Sequence, residues 1–239
     1  MTFVAWADEP LSIAVASNFK VTADEIVAEF SNATGIPVRV SSGSTGKLYA
    51  QIVHGAPYDV LLAADSERPA LLEEKGYAVV GSRVTYAVGA LILWSANQDL
   101  SEKNCRAVLG DGSFKWLAIA NPKTAPYGRA AKEFLLSAGL WDEVESRVVY
   151  GENISQALQF AATGNATLAL LAVSQTRGDR AIAATCSWRV PAATHARIVQ
   201  QAVVISNSEK LVAARRFLDF LQGSLAADIL QRHGYGEMN

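Results

Sequence analysis

Residues 38–52 read VRVSSGSTGKLYAQI, a stretch whose pattern recurs along the whole chain. Val38 and Val40 alternate as in a strand, five small residues run from Ser41 to Thr45, and Gly46 follows. Leu48, Tyr49, Ile52 and Val53 then recur at helical spacing. The pattern is a strand, a hydroxyl-rich turn and a helix start. Helix N-termini carry N–H groups without intrahelical acceptors and about half a unit of positive charge, so such a turn suits an anion. The same hydroxyls can equally cap their own helix. What favours the first reading is that comparable turns recur along the chain.

On the N-terminal side, Leu11–Ala16 is an apolar strand that ends at Ser17-Asn18. A helix is predicted next, with Phe19, Ala23, Ile26, Val27 and Phe30 on one face and Gly35 stopping it. On the other side, Gly55-Ala56-Pro57 closes the second helix and Val60–Ala63 forms a third strand. Asp65-Ser66-Glu67 leads into a helix through Leu71–Glu74, with Asp65 or Ser66 as its cap. Strands and helices alternating with short links predict an α/β fold whose sheet is mostly parallel and covered on both faces.

Val84–Val88 and Ala90–Trp94 break this rhythm as one β-prone run with Gly89 inside it, read as the crossing into a second lobe. The alternation resumes with strand Leu117–Ala120, turn Asn121–Gly128 and helix Arg129–Ala138. Strand Val148–Tyr150, turn Gly151-Glu152-Asn153, helix Ile154–Ala162 and strand Leu168–Val173 complete it. Gln175–Ala196 carries little pattern. Ile198–Ile205 is a second long apolar run and the natural return strand, followed by helices over Glu209–Leu221 and Ala226–Leu230. The expected organisation is lobe one from 8–86 and 202–239, lobe two from 87–201, and a ligand cleft between them.

A chain of 239 residues with a net charge of −2 offers no reason to expect nucleic acid or an anionic membrane as partner. The opening MTFVAWAD has a short apolar run and an Ala-Trp-Ala that fits a signal-peptidase site, so residues 1–7 read as a residual signal-peptide segment and export is expected. Cys105 and Cys186 can pair in an exported protein, but their separation in sequence says nothing about proximity. Neither sits in a CxxC, and His54, His195 and His233 are isolated, so no side-chain metal centre is expected.

Four turns are rich in hydroxyls, Gly or Pro: Ser17-Asn18, Ser42–Gly46, Thr124–Gly128 and Gly151–Ile154. Ligands of open α/β sheets bind beyond the carboxyl ends of strands, where these turns lie. Two belong to each predicted lobe, so closure would aim helix N-termini and hydroxyls at one compact anion. Donors alone would favour a fully deprotonated oxyanion such as molybdate, tungstate or sulfate over hydrogen phosphate. GSTGK lacks the P-loop spacing, and no GxSxG turn marks a serine hydrolase. Asp59, Asp65 and Glu67 are explained by capping and turn chemistry, and Glu152 is expected to face solvent. An enzyme in the same cleft would need Tyr127 and Asp59 as acid and base.

The segments SIAVASNF, VSSGSTGKLYAQIVHGAPYDVLLAAD, ANPKTAPYGRAAKEFL, LWDEV and GENISQAL resemble the periplasmic molybdate-binding proteins of ABC importers. The resemblance implies a type II periplasmic binding protein, a monomer without cofactor that passes an oxyanion, molybdate or tungstate, to a membrane permease. It implies ligand contacts from the Ser17 hydroxyl, the Asn18 backbone or amide N–H, Thr45, Tyr127 and the Ile154 N–H, with Ser44 and Lys47 as possible additions. No side chain would ligate the metal directly. Ala172 stands where some members carry a tyrosine, so Tyr127 would supply the phenol. A sulfate or other small-oxyanion receptor is the alternative.

Overall fold

The computed structural model describes residues 9–101, 103–178 and 181–236. The predicted leader segment 1–7 lies outside these residues. The chain begins β1 (Leu11–Ala16), α1 (Lys20–Thr34), β2 (Val38–Gly43), α2 (Thr45–Val53), β3 (Val60–Ala63), α3 (Glu67–Glu74) and β4 (Val84–Gly89). It continues with β5 (Leu91–Ser95), α4 (Cys105–Gly110), β6 (Leu117–Ala120), α5 (Pro126–Ser137), α6 (Trp141–Val144), β7 (Val148–Gly151), α7 (Ile154–Ala162), β8 (Leu168–Ala172) and β9 (Cys186–Arg189). Then β10 (Ile198–Val204), α8 (Leu211–Leu221) and α9 (Ser224–Arg232) follow.

Two five-stranded sheets result, ordered β2-β1-β3-β10-β4 and β7-β6-β8-β5-β9. β1 pairs in parallel with β2 and β3, and β6 with β7 and β8. β10 runs antiparallel between β3 and β4, and β5 antiparallel between β8 and β9. One strand in each sheet therefore opposes the other four. The opposed strands are those by which the chain enters each lobe after a crossing. β1 and β8 are buried throughout, as expected of strands covered on both faces.

The long β-prone run divides at Ala90, with β4 in the first sheet and β5 in the second. β4 extends to Gly89 and β10 starts at Ile198, so the boundaries at 86/87 and 201/202 fall inside strands of the first sheet. α5 starts at Pro126, three residues before the expected Arg129, because proline suits a first helical turn. The short α4 and the edge strand β9 have no counterpart in the expected elements, since neither is long enough to show a clear period.

The first lobe has a core on each sheet face. Phe19, Ile26, Phe30 and Phe217 are on one side, and Leu48, Ile52, Leu61 and Leu72 are on the other. The second lobe's core, built around Trp94, Leu117, Phe134 and Leu170, continues into Ala16 and Ala64 of the first lobe. Apolar packing thus crosses the cleft, beside the ends of β1 and β3.

Candidate functional site

The turns after β1, β2, β6 and β7 meet between the sheets. Ser17, Asn18, Ser44, Thr45, Tyr127 and Ile154 line one narrow cleft, and all are buried. Ser17 and Asn18 follow β1 in a short 3₁₀ turn. Thr45 opens α2, Tyr127 is the second residue of α5, and Ile154 opens α7. Gly128 lets α5 approach β6, since a Cβ there would stand 2.2 Å from the Ala120 carbonyl oxygen. The Asn153 side chain accepts from the Ser155 and Gln156 N–H groups, and caps α7. Ile154, one position earlier, has an N–H with no acceptor in its own helix.

The surrounding hydrogen bonds constrain where the hydroxyl protons go. Thr45 Oγ1 accepts the Ala64 N–H at 3.0 Å, so its own proton remains to be donated. Tyr127 Oη accepts from Gln200 Nε2 at a long 3.4 Å. Ser44 Oγ is buried without a hydrogen-bond partner. Asn18 differs from the expectation of an available amide: its Nδ2 donates to Gln200 Oε1 at 2.9 Å and Tyr235 Oη at 3.2 Å, leaving the backbone N–H for a ligand. The Asn18 carbonyl is occupied by Ser174 Oγ and Tyr235 Oη.

Tyr127 is the one titratable side chain lining the cleft among the described residues. Burial pushes its phenol well above the usual tyrosine range. The same desolvation raises Tyr86 beneath it and pushes Tyr235 up to about 12. All three stay protonated, and neutral, at any physiological pH.

Lys47 is outside the cleft lining. Its ammonium pairs with Glu152 of the other lobe at the cleft mouth, with both side chains about half exposed. Glu152 faces solvent, while its backbone N–H donates to Gln156 Oε1 at 2.6 Å. Asp59 is also elsewhere. It accepts from Ser12 N at 2.7 Å and Ser208 Oγ at 2.6 Å, and it borders a separate cavity with Lys210. The acid–base pair that an enzyme would need is therefore not assembled. Cys105 and Cys186 form a disulfide with Cα atoms 5.6 Å apart, which joins α4 to β9.

Sequence reading missed the layer beneath the cleft, formed by Gln200, Tyr86, Tyr235 and Ser174. Gln200 is fully buried, and the Gln200-Gln201 pair interrupting an otherwise apolar run was the available signal. Tyr86 and Tyr235 had none, being indistinguishable from core aromatics.

Residues 11–236 match the family described as bacterial extracellular solute-binding protein. This chain belongs to that family. The solute-binding protein is 43% identical over 226 residues to molybdate-binding protein ModA of Azotobacter vinelandii, a match that spans 95% of this chain and 89% of that one. It is 42% identical to the protein of the same name from Rhodobacter capsulatus, over 93% and 86% of the two chains. The solved structure of the Azotobacter vinelandii periplasmic molybdate-binding protein superposes with a TM-score of 0.91 at 37% identity, covering 96% of this chain and all of that one. The two-lobed solute-binding architecture expected from the sequence is thereby established.

Proposed function

We propose that this solute-binding protein captures molybdate, or its near-isostere tungstate, between its lobes and delivers it to an ABC permease. The observation that carries the reading is the donor set of the cleft. The Ser17, Ser44, Thr45 and Tyr127 hydroxyls and the helix-opening Ile154 N–H surround one small space, and among the described residues no cationic side chain lines it. The unpartnered Ser44 hydroxyl is a buried group that a bound oxyanion would satisfy. Each hydrogen bond to a charged acceptor contributes about 1.5–3 kcal/mol, so several together hold a dianion without a counter-charge. The names of the relatives support molybdate over sulfate.

The protein acts by binding, not catalysis: the cleft offers hydroxyls and amides, and its phenol does not ionise near neutrality. The periplasm is its site of action. The Cys105–Cys186 disulfide supports an oxidising compartment, and among the described residues no helix is long and apolar enough to cross a membrane. It works as a monomer, without cofactor, and Ser17, Asn18, Thr45, Tyr127 and Ile154 hold the ligand, with Ser44 as a sixth contact. Calorimetric titration with molybdate, tungstate, sulfate and phosphate tests this reading. Molybdate and tungstate should bind far more tightly than the others, and ligand at about a hundred times its Kd should add about 2.7 kcal/mol of stability. Preference for sulfate would make the protein a sulfate receptor instead. No binding of any of the four would overturn the oxyanion reading.

A further inference from the structure

Tyr127 belongs to the second lobe, yet its hydroxyl lies against strands of the first. A Cβ at Gly89 of β4 would stand 2.1 Å from Tyr127 Oη and 2.9 Å from Gln200 Nε2, so the phenol fits only because that position is glycine. Gln200, on β10, is 0% exposed and sits where the pairing with β4 shifts register, between Gln200 and Gln201. Such an irregularity re-aims a side chain relative to its neighbours. The Gln200 amide contacts both lobes. Asn18 Nδ2 at 2.9 Å and Tyr86 Oη at 3.2 Å meet its Oε1, and its Nε2 faces Tyr127 Oη at 3.4 Å.

We propose that Gln200 is a positioning residue for selectivity, holding Tyr127 so that its phenol only donates to the ligand. This inference rests on the oxyanion reading above. A phenol has one proton and can also accept. With the Gln200 NH₂ directed at its oxygen, the acceptor side of Tyr127 is occupied and its proton is left for the cleft. A ligand that retains a proton, such as hydrogen phosphate, then meets no acceptor at this wall, whereas molybdate and sulfate accept throughout. Without Gln200, the Tyr127 hydroxyl could rotate and accept such a proton. Both residues are buried, so a donor left facing a donor there is costly.

The test is a double-mutant cycle with calorimetric titration of wild type, Gln200→Met, Tyr127→Phe and the double variant, checked for folding by thermal melting. With Tyr127 present, Gln200→Met should weaken molybdate about fivefold or more. In the Tyr127→Phe background its effect should fall below about twofold, since the group it acts through is gone. Competition should also show the phosphate-to-sulfate affinity ratio rising about tenfold in Gln200→Met. Equal losses in both backgrounds, or an unchanged ratio, would overturn the proposal. Gln200→Glu, nearly the same shape with an oxygen where the NH₂ stood, gives the ratio independently if the methionine variant does not fold. Wild-type protein that ignores molybdate would refute the functional reading; wild-type binding with unaltered variant selectivity would refute only this one.

Discussion

Thr45 uses one hydroxyl for two purposes. Its oxygen accepts the Ala64 N–H, and its proton is available to the cleft. Thr45→Ala should therefore lower stability by about 1–3 kcal/mol, by orphaning a buried N–H, and weaken molybdate about tenfold; Thr45→Ser should do neither. Urea denaturation and calorimetry on the pair read both effects. Ser44 presents the opposite case, a buried hydroxyl with no partner. Ser44→Ala should leave the ligand-free protein as stable or slightly more so, while weakening molybdate about tenfold. Equal affinity in that variant would remove Ser44 from the site. The buried phenols of Tyr86, Tyr127 and Tyr235 set an alkaline limit. Their folded pKa values lie above the ordinary 10.0, with Tyr235 at about 12, so between these values the unfolded chain loses protons that the folded one keeps. Stability should be insensitive to these groups below about pH 10 and fall as pH rises beyond it, which urea midpoints across the alkaline range would show.

At the scale of elements, the site is made by strand ends and helix starts. β1, β2, β6 and β7 each deliver a turn to the cleft, and each turn was legible because small residues, hydroxyls and changes of period are local signals. The helix starts were less exact. Expectation put Tyr127 in a turn, whereas it lies within the first helical turn of α5, behind Pro126. β10 is legible as a strand from its apolar run, yet the contacts of Gln200 are not, because nothing local says which way a buried glutamine points. The disulfide joins two of the least legible elements, α4 and the edge strand β9, across 81 residues of sequence. Its reduction should cost about 2–4 kcal/mol of stability and leave molybdate affinity nearly unchanged, since neither cysteine lines the cleft. Melting and titration with and without reductant would check both halves.

For the molecule as a whole, the lobes meet through many modest contacts rather than one strong one. Gly46 N donates to Thr124 O at 2.9 Å, Ser174 Oγ to Asn18 O at 2.9 Å, and Ser155 Oγ to Ser17 O at 3.3 Å, all across the cleft. Lys47–Glu152 and Arg129–Glu67, the latter at 2.9 Å, add ion pairs at the rim. Half-exposed pairs of this kind are worth at most about 1 kcal/mol, so Lys47→Ala should change molybdate affinity less than about fivefold, with the difference vanishing at high salt. A loss far beyond that would put the lysine in contact with the ligand after all. Chain crossings at β4–β5 and β9–β10 give the lobes two adjacent hinge points, so molybdate should contract the molecule in small-angle scattering. Identical dimensions with and without ligand would argue against closure.

What the sequence determined by itself was local: the strand–helix alternation, the division into two series, the recurrent small-residue turns and the absence of P-loop or GxSxG spacing within them. These follow from backbone periodicity, capping and turn chemistry, which act over a few residues. Only the tertiary structure decided the rest. It brought Asn18 beside Gln200 across 182 residues, directed Lys47 to Glu152, separated Asp59 from Tyr127 and paired the cysteines. Such contacts are fixed by how sheets and helices pack, and the direction of a shared proton is set by every neighbour at once. No short stretch of chain holds that information.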